Sequence, residues 1–167
     1  MPAAAEPALD TSSPTRRLPA LVATAALVLG LDQLTKWWAL NALDDGPIDL
    51  VWTLRLNLTF NSGAAFSTAG GLGPVIAVVA FVVVAFIFWT GRAVRGRSVA
   101  VCLGMVAGGA LGNLADRVFR SHDGWFGGSV VDWIDLQWWP VFNVADASLV
   151  VGGLLLVLLV GARGEMG

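Results

Sequence analysis

The side chains able to do chemistry in this 167-residue chain are nearly all aspartates. There is one histidine, His122, and one cysteine, Cys102, which excludes paired-histidine metal motifs, an internal disulfide and any multi-cysteine metal site. Five carboxylates stand in suggestive company. Asp32 lies four residues before Lys36, a helical spacing that suits an ion pair. Asn113 and Asp116 are three apart, next to Arg117; Asn143 and Asp146 are also three apart; Asp132 sits in Val-Val-Asp-Trp-Ile and Asp135 follows it by three. Two converging aspartates can hydrolyse an amide. One, ionised, takes a proton from water, while the other, protonated, polarises the carbonyl and protonates the leaving amine. Their repulsion raises one pKa, so the pair holds a single proton and titrates as a unit. No Ser–His arrangement competes. Cys102 lies in an apolar run and reads as a small buried hydrophobe, and His122 reads as a solvated loop residue.

The rest of the chain must position these groups, and its composition says where. Hydrophobic residues make up 56% and charged residues 13%, against roughly 25% charged in a soluble domain. Neither a soluble globular domain nor a disordered chain fits, and a net charge of −2 gives no footprint for nucleic acid. About 20 apolar residues span a bilayer as a helix. Four segments qualify, at about 18–40, 73–90, 98–115 and 142–162, with 1–15 as a short disordered tail and 16–163 as one membrane domain. Arg16 and Arg17, then Arg92, Arg95 and Arg97, then Arg163 fall on one side of a four-span topology, which puts both termini in the cytoplasm. The outer side receives about 41–72 and 116–141, with seven of the eight tryptophans: Trp37, Trp38, Trp52, Trp125, Trp133, Trp138 and Trp139. Reading Arg16–Gly30 as a cleavable signal peptide would sacrifice this arginine pattern and the run through Asp32, Gln33 and Lys36.

Between Ile48 and Asn61 every even position is apolar and every odd one polar except Val51. A period of two over fourteen residues predicts a strand with one greasy face. A lone strand cannot cross a bilayer, so it belongs to a small outer sheet (about 46–66), its apolar face toward lipid or the bundle. Asn61-Ser62-Gly63 then supplies turn chemistry. The expected fold is an integral membrane, mainly α protein: four transmembrane helices with a small extracytoplasmic β-sheet or cradle. In it Asp32, Lys36, Asn113, Asp116, Asp132, Asn143 and Asp146 all reach one depth, at the outer interface. Ionisable groups within spans are costly and are usually functional or paired; Asp32 with Lys36 could be a structural tie or part of the chemistry.

Five motifs in order resemble the bacterial lipoprotein signal peptidases, or signal peptidase II. They are Asp32-Gln33-Leu34-Thr35-Lys36, Asn61-Ser62-Gly63-Ala64-Ala65-Phe66, the run from Gly108 to Arg117, Val130-Val131-Asp132-Trp133-Ile134 and Phe142-Asn143-Val144-Ala145-Asp146. The resemblance covers about 31–148. It implies a membrane aspartic endopeptidase that removes the signal peptide of diacylglyceryl-modified prolipoproteins by cutting just before the lipidated cysteine. It implies Asp132 and Asp146 as the catalytic pair, with Asn113, Asp116, Arg117 and Asn143 supporting the site and Asn61 in the substrate and inhibitor pocket. It further implies inhibition by globomycin-type cyclic peptides, no metal or cofactor, and residence in the bacterial plasma membrane with membrane lipids as neighbours; a monomer is expected. This chain departs from the family pattern in a longer run from Asp116 to Asp132, in Trp133 for the commoner Phe, and in Ser67 where Gly often stands.

Two other classes remain as readings of the residues. In a small transporter, Asp32, Asp116 and Asp146 would form an ion path, but spans two and three have uncharged middles. A scaffold acting through the outer sheet would leave the aligned carboxylates as a structural network only. Asp116 and Asp135 are the spare candidates for the catalytic pair.

Overall fold

A computed structural model describes residues 17–63, 73–120 and 128–164. The 1–15 tail, Arg16, Ala64–Ser67, His122, Asp123 and Trp125 lie outside the described residues. Four helices run through the rest: α1 (Leu18–Ala42), α2 (Gly73–Gly91), α3 (Arg97–Phe119) and α4 (Val144–Gly164). All four are long and apolar enough to cross a membrane, with mean hydropathies of 1.6, 2.5, 1.6 and 2.3. Their outward faces expose Leu27, Val79, Phe81, Phe86, Leu154 and Leu158. Water would not tolerate so much contiguous apolar surface; lipid does.

Helix α3 is the centre of the bundle. Half of its most apolar window is buried, against 11% in α4. Lipid tails give no hydrophobic drive for helix association, so close approach must come from small residues, and α3 supplies them on two faces. Gly104, Gly108 and Gly112, four apart, lie against α1: a Cβ at Gly108 would stand 2.6 Å from the Ala25 carbonyl oxygen. Gly109 lies against α4, where a Cβ would stand 2.5 Å from the Ala145 carbonyl oxygen. The Gly108–Arg117 motif is thus in large part a packing device that lets the polar ends of α1, α3 and α4 meet.

The strands β1 (Ile48–Val51), β2 (Leu54–Asn61) and β3 (Val130–Asp135) form an antiparallel sheet in that order. Here the sequence expectation is corrected. The alternating run 48–61 is not one strand but a hairpin, turning at Trp52 and Thr53 with Trp52 at φ +52. Ile48 pairs with Leu56 and Asp49 with Arg55, with a register shift before Val51 pairs Leu54. The Ile48–Leu56 and Asp49–Arg55 pairs share parity, so away from the turn the alternation of the sequence is kept from one strand to the next; only the Val51–Leu54 pair beside the turn breaks it. The apolar face is turned outward, with Ile48, Leu50 and Phe60 exposed. The polar face of Arg55, Asn57 and Asn61 turns toward β3's aspartates. A second register shift, between Leu56 and Thr59, pairs Arg55 with Asp135 but Thr59 with Asp132. The extra residue lies on β2, so β3 alternates regularly: Asp132 and Asp135, three apart, point to opposite faces and meet different partners.

Candidate active site

The site is built where α1 and α3 end, α4 begins and β3 crosses. Asn143 opens α4 as its cap: its side-chain oxygen accepts the Asp146 N–H at 2.9 Å, and Asp146 Oδ2 accepts the Asn143 N–H at 3.2 Å. This reciprocal pair is a capping box written with Asn and Asp, a local signal in Asn-Val-Ala-Asp that spacing alone had left unread. The same Asn143 donates its Nδ2 to Asp132 Oδ1 at 2.6 Å, to the Val131 carbonyl at 3.3 Å and to Asn113 Oδ1 at 3.1 Å. Asn113 Nδ2 donates to Asp146 Oδ1 at 2.7 Å. The two aspartates expected to pair are therefore tied through one residue, Asn143, whose side-chain amide holds Asp132 and whose backbone N–H holds Asp146, with Asn113 closing the ring.

Asn61 joins from β2. Its Oδ1 accepts the Gly63 N–H at 2.9 Å, and its side chain hydrogen-bonds Asp132. Asp132 is 2% exposed. Burial, reinforced by the nearby charge of Asp146, pushes its carboxyl from 3.8 up to about 6, although the bonds from Asn61 and Asn143 favour the ionised form.

Beneath this pair lies a buried ion cluster. Lys36 is wholly buried and its three ammonium donors are all taken: by Asp32 at 2.8 Å, Asp116 at 2.9 Å and Asn113 Oδ1 at 3.0 Å. Asp32 Oδ1 also accepts the Ala145 N–H in the first turn of α4 at 3.0 Å. Asp116 accepts the Val131 N–H at 3.1 Å and Arg120 Nε at 2.9 Å, fixing β3 to α3. The cationic partners of Asp116 are Lys36 and Arg120 and not its neighbour Arg117, since residues one apart on a helix face different ways. Gln33, read from the sequence alongside Asp32 and Lys36 but not assigned a place in the site, donates to Asp32, to Asp116 and to the Gly112 carbonyl at 3.1–3.2 Å. Asp135 stands apart from the cluster, held by Arg55 at 2.7 Å and Asn57 at 3.0 Å.

Arg117 is 6% exposed and lies within electrostatic reach of Asp132, Asp116 and Asp146. Its Nη1 has no hydrogen-bond partner among the described residues, so a buried donor is left for something else to satisfy. Among the described residues, no group of three or more His, Cys, Asp or Glu side chains is arranged to hold a metal. A cavity of about 390 Å³ opens beside the pair, bounded by Leu136, Trp138, Trp139, Phe142, Val150 and Val151, with Asp146 in its wall. An apolar chamber with one carboxylate in its wall suits an amphiphilic ligand.

The profile of the family described as signal peptidase (SPase) II matches residues 24–161. The chain belongs to the signal peptidase II family. Curated relatives agree: a lipoprotein signal peptidase of Mycobacterium avium is 49% identical over 148 residues, covering 87% of this chain and 81% of the relative. One of Mycolicibacterium smegmatis is 46% identical over 164 residues, covering 93% and 69%. The fold is shared with a solved structure described as a bacterial membrane enzyme obtained by the in meso method at 1.9 Å. Its TM-score is 0.74 at 24% identity, over 85% of this chain and 92% of that one. This signal peptidase II family member is thus a multi-pass membrane protein with the four-helix, three-strand architecture.

Proposed function

We propose that this protein is a membrane aspartic endopeptidase that removes the signal peptide from diacylglyceryl-modified prolipoproteins, cutting just before the lipidated cysteine. The observation that carries the reading is the bridging of Asp132 and Asp146 by Asn143, with Asp146 in the wall of an apolar cavity. Relatives named lipoprotein signal peptidase support the substrate class.

In the proposed reaction Asp132 carries the shared proton and Asp146 begins as carboxylate. Water attacks the scissile carbonyl carbon as Asp146 takes one of its protons and Asp132 gives its own to the carbonyl oxygen. The tetrahedral diol then collapses: the carbon–nitrogen bond breaks, Asp146 returns a proton to the amine, and Asp132 takes one back from a diol hydroxyl. The pair ends as it began, having released a carboxylic acid and the cysteine amine. Asn143 and Asn113 hold the two carboxyls at a fixed separation. The buried Lys36 cluster fixes the three helices that carry them, and Arg117 offers its spare donor to the substrate backbone. Each of these groups comes from one chain, which supports a monomer as the working unit.

The site faces outward in a bacterial plasma membrane, with both termini inside. Arg92, Arg95 and Arg97 stand at the bundle end opposite the aspartates, and Arg17 is tied to that end by its N–H bond to the Val94 carbonyl at 3.1 Å.

The test is cleavage of a purified preprolipoprotein by the reconstituted protein, with products sized by mass spectrometry. The expected result is one cut, before the diacylglyceryl-cysteine, blocked by globomycin. Equal cutting of the unmodified precursor would overturn the proposal.

A further inference from the structure

The far end of the bundle carries a second cavity, of about 440 Å³, lined by Arg97, Ser98, Val101, Cys102, Leu155 and Leu159. It arises from how α3 and α4 meet. The two helices touch closely at Gly109 and again at Gly152, where a Cβ would stand 2.8 Å from Met105 Cβ and 3.1 Å from the Cys102 carbonyl oxygen. Beyond Gly152 the residues that face each other across the space are Leu155 and Leu159 of α4 and Cys102, Val101, Ser98 and Arg97 of α3. This wedge has Cys102 at its Gly152 end, Val101, Leu155 and Leu159 on its walls and Arg97, the first residue of α3, at its mouth.

Among the described residues the charges near that mouth are of one sign. No Asp or Glu occurs from Gly73 to Ala115 or from Ala147 to Gly164, and Arg92 and Arg95 share the connection with Arg97. The Arg97 side chain makes no ion pair among the described residues. The wedge therefore wants hydrocarbon and its mouth wants an anion, both at the membrane boundary. A phospholipid with an anionic headgroup offers both: an acyl chain along Val101, Leu155 and Leu159, and a phosphate that the Arg97 guanidinium can grip bidentately beside the Ser98 hydroxyl. Sixteen helical residues separate Arg97 from Asn113, about 24 Å at 1.5 Å each, so the lipid would not touch the aspartates.

We propose that the α3–α4 wedge is a binding site for one anionic phospholipid, which clamps the free ends of the two helices that carry Asn113 and Asp146. A ligand that binds only the folded protein stabilises it by mass action. The detergent-purified protein is titrated with phosphatidylglycerol or with phosphatidylcholine of the same chains, and read by native mass spectrometry and thermal unfolding. One phosphatidylglycerol is expected to stay bound and raise the melting temperature, while phosphatidylcholine does neither. Arg97→Gln should cut the bound fraction at least fivefold, and Leu155→Trp, which fills the wedge without touching the charge, should do the same. Arg92→Gln should leave it unchanged, and retained cleavage verifies folding of each variant. Equal retention of phosphatidylcholine would overturn the proposal. So would undiminished binding in Arg97→Gln or Leu155→Trp, or an equal melting shift from inorganic phosphate alone.

Discussion

Replacing Asp132 with Asn should inactivate the enzyme and yet stabilise it, by an amount that depends on pH. The Asp132 carboxyl is raised from 3.8 to about 6, first by burial and then by the charge of Asp146. At about 1.36 kcal/mol per pH unit, ionising it in place costs about 3 kcal/mol more than in the unfolded chain. The sign follows from proton counts. Between pH 3.8 and about 6 the folded state holds a proton that the unfolded state has released. Wild-type stability from this group is therefore greatest below 3.8, declines across that window, and stays low above it. Asn copies the protonated acid in shape and cannot ionise. Its amide forms less well-matched bonds with Asn143 and Asn61, a loss of about 1 kcal/mol. A net gain of about 2 kcal/mol remains at pH 7.5, which for a chain of this size is roughly 4–8 °C in melting temperature. Thermal unfolding of both proteins in one detergent, at pH 7.5 and pH 4, is the assay. The gain should be present at the first pH and largely gone at the second. An Asn variant less stable than wild type at pH 7.5, or a gain unchanged at pH 4, would refute the reasoning.

Three further outcomes are expected. Because Asp132 supplies the proton to the carbonyl, kcat/KM should fall about tenfold per pH unit above about 6; a profile rising through that range would reverse the roles of the pair. Lys36→Met leaves Asp32 and Asp116 buried without their shared cation and should cost about 3–5 kcal/mol. Denaturant unfolding measures this, and adding Asp32→Asn and Asp116→Asn should recover part of it. Asn143→Ala removes both the α4 cap and the bridge between the carboxyls. It should lower stability by about 1 kcal/mol and kcat by about 10²–10³-fold with little change in KM, read by steady-state kinetics on the lipidated precursor.

Much of this architecture is legible in the chain because a bilayer imposes simple rules. Apolar runs of helix-spanning length mark α1 to α4, and polar residues at their ends mark the depth where Asp32, Asn113, Asp116, Asn143 and Asp146 gather. What escaped reading depended on pairing. The hairpin at Trp52 was invisible because its register preserves parity between Ile48 and Leu56. The three-residue spacing of Asp132 and Asp135 already separates them in a strand, but which β2 residues meet each follows from a shift at Leu56–Thr59 that β3 does not encode. Asp116 stands next to Arg117 in the chain, but helix geometry sends it to Lys36, 80 residues away in sequence, and to Arg120 one turn on. The reciprocal cap of Asn143 and Asp146 is a local signature, an N-cap residue three before an acid, and the same two side chains start α4 and build the site.

The central claim, that two aspartates share one water and one proton, is tested most directly by turnover of a diacylglyceryl-modified preprolipoprotein by Asp132→Asn, Asp146→Asn and Asp135→Asn, each reconstituted in the same lipid. The account predicts losses of at least 10³-fold in the first two and turnover near wild type in the third, whose carboxylate is held by Arg55 and Asn57. Turnover above a tenth of wild type in Asp132→Asn or Asp146→Asn, or a loss in Asp135→Asn as deep as theirs, would contradict it.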